Sequence, residues 1–590
     1  MKRCRVRWSC CYPLTLLAGF VSFAPGAFCR ATPIVTELAA RYSSGQVFLT
    51  WNEATVSSRT TFEVYSHDVQ IQTESFAGAR RVAHHVERQS ARDWWRDAAF
   101  FTAGAAPGSA RGFVVATGEA PLDPRDGLFV HTIMDEDTTG PRYYAVLVTQ
   151  DGAPDERSLV LGDNSLTEPL TGRVSLPHPL WLANDVPEPQ QGSARGKGLL
   201  LILHGRGGGH ASVGRPGAHS ALAFGDAKQG WRQGLPYKFR VDIGDELVSI
   251  RPYDCTWVGR ELTESIDPWY RAHVIVSWWY GYDRNIFTSI DDGPTVAPNY
   301  TEERLLYLIR WAQGYLGTDP QRVYLRGGSM GGSGAVSMAL HHPERFAAVK
   351  ADVAIVAYTC AGKRGSLWRL ECVMGALDDS AVNHEGVPLL EHMNGSHIAR
   401  TTTADLPPLF MTHGRRDSSI PWVNNPPFYR AMNEAHQSLT VYWDNGGHSR
   451  KNETPEDVAA WAEGLYRYRL DESFLVFSNA SHNRDPGGGD AEDGDLVGWY
   501  NRGLDWKDLH ETRDDYSFTV TFACPGVDGP VKVDVTLRRL QRFRLRPGDV
   551  LQVRVGDSEA SAVWVDSAGV LTIPRITVEA GPGTAVAVTR

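Results

Sequence analysis

The chain is short of cysteine, of positive charge and of long apolar runs, and each shortage removes a class of protein. Its 590 residues hold eight cysteines. Four of them (Cys4, Cys10, Cys11 and Cys29) fall near the N-terminus, leaving Cys255, Cys360, Cys372 and Cys524, too few for a disulfide scaffold. Cys360 and Cys372 are near enough in sequence to pair in an oxidising compartment. No Cys-x-x-Cys or His-x-x-x-His spacing announces a metal site, and nothing calls for a cofactor. Acidic residues outnumber basic ones, 69 to 59, for a formal charge of -10, which argues against nucleic acid or anionic lipid as partner. Beyond the N-terminus no segment approaches the roughly 20 apolar residues of a membrane helix. Helical periodicity is sparse outside the middle of the chain. That pattern favours β-rich flanks around an α/β centre.

Residues 1–31 read as a secretory signal. Lys2, Arg3, Arg5 and Arg7 precede the short apolar stretch Pro13–Phe23, and small residues near Ala27 and Ala31 suit a signal peptidase. The expected location is therefore secreted or periplasmic, with no integral membrane association after signal removal. Cleavage would take five basic residues (Arg30 is the fifth) and no acidic ones, moving the charge from -10 to about -15.

A chain of this length needs more than one core. Residues 32–165 have strand-like runs at Val47–Trp51, Thr61–Tyr65, Leu128–Thr132 and Tyr143–Thr149. Trp51 on an early strand and the Tyr-rich late strand resemble a fibronectin type III-like sandwich. The stretch from Ser66 to Arg125 reads as an insertion in it. A proline-rich linker covers 166–197. From 198 to 470, apolar strands alternate with helical segments, the mark of a doubly wound α/β domain. Gly198–His204 opens it as a strand buried on both faces. Further strands are expected at Leu247–Arg251, His273–Ser277, Arg322–Gly327, Phe346–Lys350, Val353–Val356, Pro408–Thr412 and Leu439–Trp443, and a helix at Glu302–Tyr315. Residues 471–590 return to period-two alternation, a C-terminal β domain of sandwich type. Its acidic loop Asp485–Asp495 reads as solvated rather than as a Ca²⁺ site, because it lacks the full spacing of one.

The chemistry centres on Val323-Tyr-Leu-Arg-Gly-Gly-Ser329-Met-Gly-Gly. A bare Gly-x-Ser-x-Gly arises readily by chance. Here a strand leads in and a small-residue helix leads out, the order a strained nucleophile turn requires. A serine hydroxyl is a weak nucleophile at neutral pH and needs a histidine base oriented by a carboxylate. Asp417 follows the strand Pro408–Thr412, and glycine-flanked His448 follows the next strand. Both sit at the carboxyl edge of the sheet, after the serine. The oxyanion donors expected are the backbone N–H of Met330 and those of Gly205 and Arg206, in the glycine-rich loop after the first strand. His204 and His413 end strands directly and are expected to brace loops. Trp278, Trp279 and Tyr280 are candidates to line a substrate cleft, packing of a lid being the alternative.

His204-Gly205, Gly327-Gly-Ser-Met-Gly-Gly332, His413-Gly-Arg-Arg-Asp417 and Gly447-His448 together resemble the α/β-hydrolase superfamily. The segment is similar to secreted feruloyl- and acetylxylan-type esterases and to the catalytic domain of the prolyl oligopeptidase family. The resemblance implies a serine hydrolase with Ser329, Asp417 and His448 as its triad. The expected activity is ester hydrolysis on a small molecule or a polysaccharide, with polysaccharide-linked or aromatic esters as the candidate substrates. Two alternatives stay open: a prolyl oligopeptidase-like peptidase, although a short β-sandwich stands where that family carries a propeller, and a non-catalytic polysaccharide-binding or adhesion protein.

Overall fold

The computed structural model describes residues 35–53, 60–92, 112–116, 118–133, 140–150, 153–179, 181, 187–206, 218–221, 236–257, 274–284, 286, 294–358, 367–449 and 454–590. The signal-like segment, Trp94, Trp95, Trp269, Tyr270 and Cys360 lie outside them, and so does any Cys360–Cys372 pairing. No helix among the described residues is long and apolar enough to cross a membrane.

Gly198–Leu203 is apolar at nearly every position because it lies inside a sheet with both faces covered. In that sheet the strands run in the order Ala218–Ala221, Pro236–Ile243, Leu247–Pro252, Gly198–Leu203, Val323–Gly328, Ala348–Asp352, Leu409–Gly414, Leu439–Asp444 and Gly498–Tyr500. The six from Leu247–Pro252 to Leu439–Asp444 are mutually parallel, and antiparallel strands flank them on both sides. The sheet's first strand in chain order, Gly198–Leu203, sits between Leu247–Pro252 and Val323–Gly328. The direction of winding reverses there, which opens a crevice at the strands' carboxyl ends. Leu199, Leu201, Val323, Leu325, Val349 and Met411 fill the core. Each large aliphatic side chain buried there contributes about 1.5–3 kcal/mol.

The helix Tyr300–Trp311 covers one face with Leu305, Leu308, Ile309 and Trp311, and Glu302 and Glu303 lie in its first turn, where the dipole favours negative charge. It loosens into a π-type turn, Ala312–Leu316, that ends at Gly317 with φ +79°. Two expected strands differ. Val274–Ile275 pairs with Thr256–Trp257 in a separate two-stranded ribbon. Val353, at φ 45°, leaves the sheet, so the strand in this region is Ala348–Asp352 alone.

Ahead of this domain, two antiparallel sheets share a core. One contains Thr36–Ser43, Gln46–Asn52 and Gly127–Thr132. The other contains Arg80–Glu87, Thr61–His67, Gly140–Gln150 and Ala153–Pro154, with Leu170–Gly172 also on Gly140–Gln150. Leu49, Trp51, Phe62, Val64 and Val146 meet between them, with Trp51 edge-on to Phe62. Arg80–Glu87 lies inside the stretch expected as an insertion, and Leu170–Gly172 inside the expected linker. The first is mostly polar and the second spans three residues, so neither carries a readable alternation.

After residue 470 come a three-stranded sheet (Phe474–Ser478, Val531–Arg538, Thr572–Val578) and a five-stranded one. Gly498–Tyr500 belongs to neither. It pairs with Leu439–Asp444 and forms an edge of the central sheet. The two parts of the chain are thus joined by backbone hydrogen bonds.

Candidate active site

Ser329 stands at the turn between Val323–Gly328 and the helix Met330–His341, with φ 59° and ψ -126°. A non-glycine residue held there is strained, and the turn lifts its hydroxyl clear of the sheet. The neighbouring backbone is close-packed. A Cβ on Gly331 would lie 2.1 Å from the Leu203 carbonyl oxygen. Ser329 N–H donates to the Asp352 carbonyl at 2.9 Å, which fixes the turn against the next strand.

The loops after Leu409–Gly414 and Leu439–Asp444 bring the partners. His448 Nε2 lies 2.9 Å from Ser329 Oγ, and His448 Nδ1 lies 2.7 Å from Asp417 Oδ2. Because the carboxylate only accepts, Nδ1 carries the proton and Nε2 is left to accept from the serine. Asp417 Oδ1 accepts from the N–H groups of Ser419 (2.7 Å) and Ile420 (2.8 Å). Burial acts to raise the Asp417 carboxyl. The hydrogen bonds from His448 and Ile420 outweigh it and hold the group below its ordinary range.

Met330 is the first residue of its helix, so its N–H has no acceptor within the helix. Gly205 lies directly opposite, where a Cβ would sit 3.5 Å from Gly328 O and from Ser329 Cβ. The Gly205–Arg206 loop is held from behind. His204 Nδ1–H donates to the Gly205 carbonyl at 2.7 Å, and His204 Nε2 accepts from Asp254 N–H at 2.9 Å. His413 Nε2 bonds the Ile420 carbonyl at 3.1 Å. Both histidines therefore act as loop braces, away from the Ser329–His448 contact.

Residues 305–469 match the family model described as the prolyl oligopeptidase family. That span holds Ser329, Asp417 and His448. That match, the nucleophile turn and the parallel sheet make the central domain similar to serine hydrolases of the α/β-hydrolase superfamily. Among solved structures, the S-formylglutathione hydrolase of Agrobacterium tumefaciens is 20% identical, with 43% of this chain and 79% of that one covered at a TM-score of 0.28. Propionate-bound esterase 2 of Thermogutta terrifontis is 17% identical (47% and 83% covered, TM-score 0.25). FphF, a fluorophosphonate-binding serine hydrolase of Staphylococcus aureus, is 15% identical (48% and 88%, TM-score 0.25). Similarity at this level says nothing about the substrate. No curated protein matches the chain in sequence.

The hydrolase domain corrects the reading of the aromatic run. Trp279 and Tyr280 are fully buried, and Trp278 keeps 4% of its surface. Trp278 and Trp279 turn through positive φ, 55° and 65°. This aims Trp279 inward, where its Nε1–H donates to the His204 carbonyl at 3.1 Å. Asp254, itself buried, accepts from Ser277 N–H and Trp279 N–H. Trp279 supports the Gly205–Arg206 loop from below, and neither it nor Tyr280 presents a face to a substrate.

The acidic loop Asp485–Asp495 is largely exposed, as expected, but it also makes contacts: Glu492 pairs with Arg416 at 3.0 Å and Asp485 with Arg430 at 3.4 Å, while its carbonyls hold Arg415. Arg415 is 1% exposed, two residues before Asp417, and its guanidinium donates to the carbonyls of Asp490 (3.0 Å), Asp493 and Asp495. Trp443 Nε1–H and Trp422 Nε1–H bond the Asp495 and Pro486 carbonyls at 2.8 and 3.1 Å. The basic pair Arg415-Arg416 beside Asp417 and a distant acidic loop were the only sequence sign of this clamp.

Glu302, His341 and His392 also come together, with one ligand-type atom of each within 4.8 Å of the others. Two observations argue against an ion there. The His341 and His392 rings stack at 3.9 Å and 11°, so their in-plane lone pairs run side by side and do not converge. Both His341 nitrogens are engaged, Nδ1 with Glu302 Oε1 and Nε2 with the His392 carbonyl, each at 2.8 Å. The cluster is a buried ion pair. Burial acts against both charges, but the histidines hold the Glu302 carboxyl well below its usual range and Glu302 holds His341 above its own. His392 is pushed down to about 4, by burial and then by the neighbouring His341 charge.

Proposed function

We propose that this protein is an exported carboxylic ester hydrolase working through an acyl-enzyme. The observation that carries the reading is the unbroken hydrogen-bond chain Ser329–His448–Asp417, at 2.9 and 2.7 Å. In this mechanism Ser329 Oγ attacks the ester carbonyl as His448 Nε2 takes its proton, and Asp417 holds the ring and balances the imidazolium. The negative oxygen of the tetrahedral intermediate accepts from the N–H groups of Met330 and of the Gly205–Arg206 loop, beside a helix N-terminus. Collapse expels the alcohol, protonated by His448. Water activated by the same histidine then releases the acid and restores the serine.

The substrate is an ester-bearing small molecule or an ester group on a polysaccharide. The positively charged, then apolar, N-terminus supports export to the periplasm or beyond. Strand order in the first two sheets supports a fibronectin type III-like module, and the alternation after residue 470 a second β-sandwich. Ser329→Ala should lower p-nitrophenyl acetate turnover about 10³-fold or more with the fold intact. Unchanged turnover would sink the proposal.

The family match over residues 305–469 favours a second reading, a peptidase, because amide and ester hydrolysis share the tetrahedral intermediate. Acyl esters compared with prolyl and other aminoacyl anilides separate the two. Robust anilide cleavage with negligible ester turnover would reverse the order. A purely binding protein would leave Ser329 unlabelled by a fluorophosphonate probe.

A further inference from the structure

The five-stranded sheet runs in the order Leu504–Glu511, Asp515–Phe522, Thr584–Thr589, Val550–Val555, Ser561–Trp564. One face feeds the C-terminal core with Phe518, Val520, Leu551, Val553, Val586 and Val588. Along Val550–Val555 exposure alternates, so Val550, Gln552 and Arg554 point to the other face. The register sets Trp564 directly across from Val550, and Ala562 and Thr589 on either side of Gln552.

Trp564 is 65% exposed, more than any other large apolar side chain among the described residues. It lies on an edge strand, a position that proteins usually blunt with charge, proline or a bulge. An indole ring left in water there forfeits substantial burial. The side chains of Gln552 and Arg554, projecting from the adjacent strand, have no hydrogen-bond or ion-pair partner among the described residues. Strand spacing places the Gln552 amide about 7 Å from Trp564 on the diagonal and Arg554 roughly one further step of two residues along. The neighbours Ala562 and Thr589 are small, so the lane stays flat and open.

We propose that this face is a docking surface for a polysaccharide chain. A pyranose ring presents an apolar C–H face that stacks on an indole, and paired hydroxyls that match the donors of an amide and a guanidinium fork. Other occupants fit worse. A stable protein interface needs an apolar core of many side chains, where this face offers one ring and one valine. One arginine on a chain of charge -10 is a poor nucleic-acid contact. A single ring is a weak membrane anchor. The purpose of the face, holding a polymer near the hydrolase, rests on the proposed function, but binding itself does not.

The test uses the full chain with Ser329→Ala, so that no ester is consumed, beside the same protein carrying Trp564→Ala. Each is co-sedimented with insoluble xylan and cellulose and run through native gels containing soluble xylan or glucomannan. We expect the Trp564-intact protein to be retained by at least one polymer and Trp564→Ala to weaken that retention roughly tenfold. In the Ser329-intact background Trp564→Ala should leave p-nitrophenyl acetate turnover unchanged, since Trp564 lies on the edge of a C-terminal sheet that shares no strand with the sheet carrying Ser329. Absence of binding to all four probes, or equal binding by both proteins, overturns the proposal. So does a matching loss of soluble-ester turnover, which would make Trp564 a structural residue. Failure of the hydrolase reading shows elsewhere, in the turnover of Ser329→Ala, and leaves the sedimentation result standing.

Discussion

Replacing Arg415 by lysine tests whether the C-terminal part of the chain serves the chemistry or only its attachment. The guanidinium forks to three carbonyls of the 485–495 loop and lies over Trp422, 5.5 Å from its ring centre. A lysine ammonium keeps the charge but cannot span three acceptors from one point. Two charge-assisted bonds are lost, while carbonyls on a surface loop regain water. The net cost is about 2–4 kcal/mol. The loop keeps its two tryptophan donors and the bond from Arg430 to the Gly487 carbonyl at 2.7 Å, so it loosens without detaching. The strain passes two residues along the backbone to Asp417. A misplacement near 1 Å in a reacting constellation costs up to about 100-fold. We expect kcat for p-nitrophenyl acetate to fall about 10- to 100-fold with KM nearly unchanged, and fluorophosphonate labelling of Ser329 to slow in proportion. Circular dichroism should remain native, with a lower urea midpoint; a multidomain chain makes the midpoint a safer readout than an extrapolated free energy. A lowered midpoint with undiminished kcat would refute the reasoning. Asp417 would then be held sufficiently by the amides of Ser419 and Ile420, and the clamp would be mere fastening.

Two further outcomes follow from packing and titration. Gly331→Ala would drive a Cβ to 2.1 Å from Leu203 O and 2.8 Å from His204 O, the backbone that enters the Gly205–Arg206 loop proposed to hold the oxyanion. Turnover should fall about 100-fold or more, whereas Gly205→Ala, with its nearest neighbours at 3.5 Å, should retain most activity; equal losses would contradict the geometry. Glu302→Gln breaks a buried pair at a cost of about 3–5 kcal/mol. The raised His341 value supplies stability that is full below its unfolded value near 6.5 and is lost as pH rises through the folded one. The depressed Glu302 value supplies stability present above roughly 4.3 and lost only in strong acid. Both act at pH 6, so the drop in urea midpoint should be larger at pH 6 than at pH 9, and a pH-independent drop would show that the pair is not ionised.

The reach of the sequence is clearest at Ser329. Apolar runs, a glycine turn and small helical residues are local, and local chemistry dictates a strand, a sharp turn and a helix whatever lies beyond. The same holds for Gly198–Leu203, whose unbroken hydrophobicity, too short for a buried helix, points to a strand covered on both faces. Asp417 and His448 were legible as polar residues just past such strands, because parallel strands deliver their ends to one edge. The aromatic run 278–280 misled, since a tryptophan's composition is the same whether it faces a ligand or a loop. Positive φ at two consecutive tryptophans turned it inward, and no periodicity encodes that. Arg415 and the acidic loop are some 75–80 residues apart, and charge alone suggested two solvated surfaces. Only the tertiary structure joined them, by adding Gly498–Tyr500 to the edge of the hydrolase sheet and carrying the preceding carbonyls onto a buried guanidinium. The sequence by itself determined the central strands, the turn at Ser329 and the chemistry those elements carry. Tertiary structure decided which distant backbone groups satisfy a buried charge, because that partnership depends on long-range chain placement and leaves no local pattern.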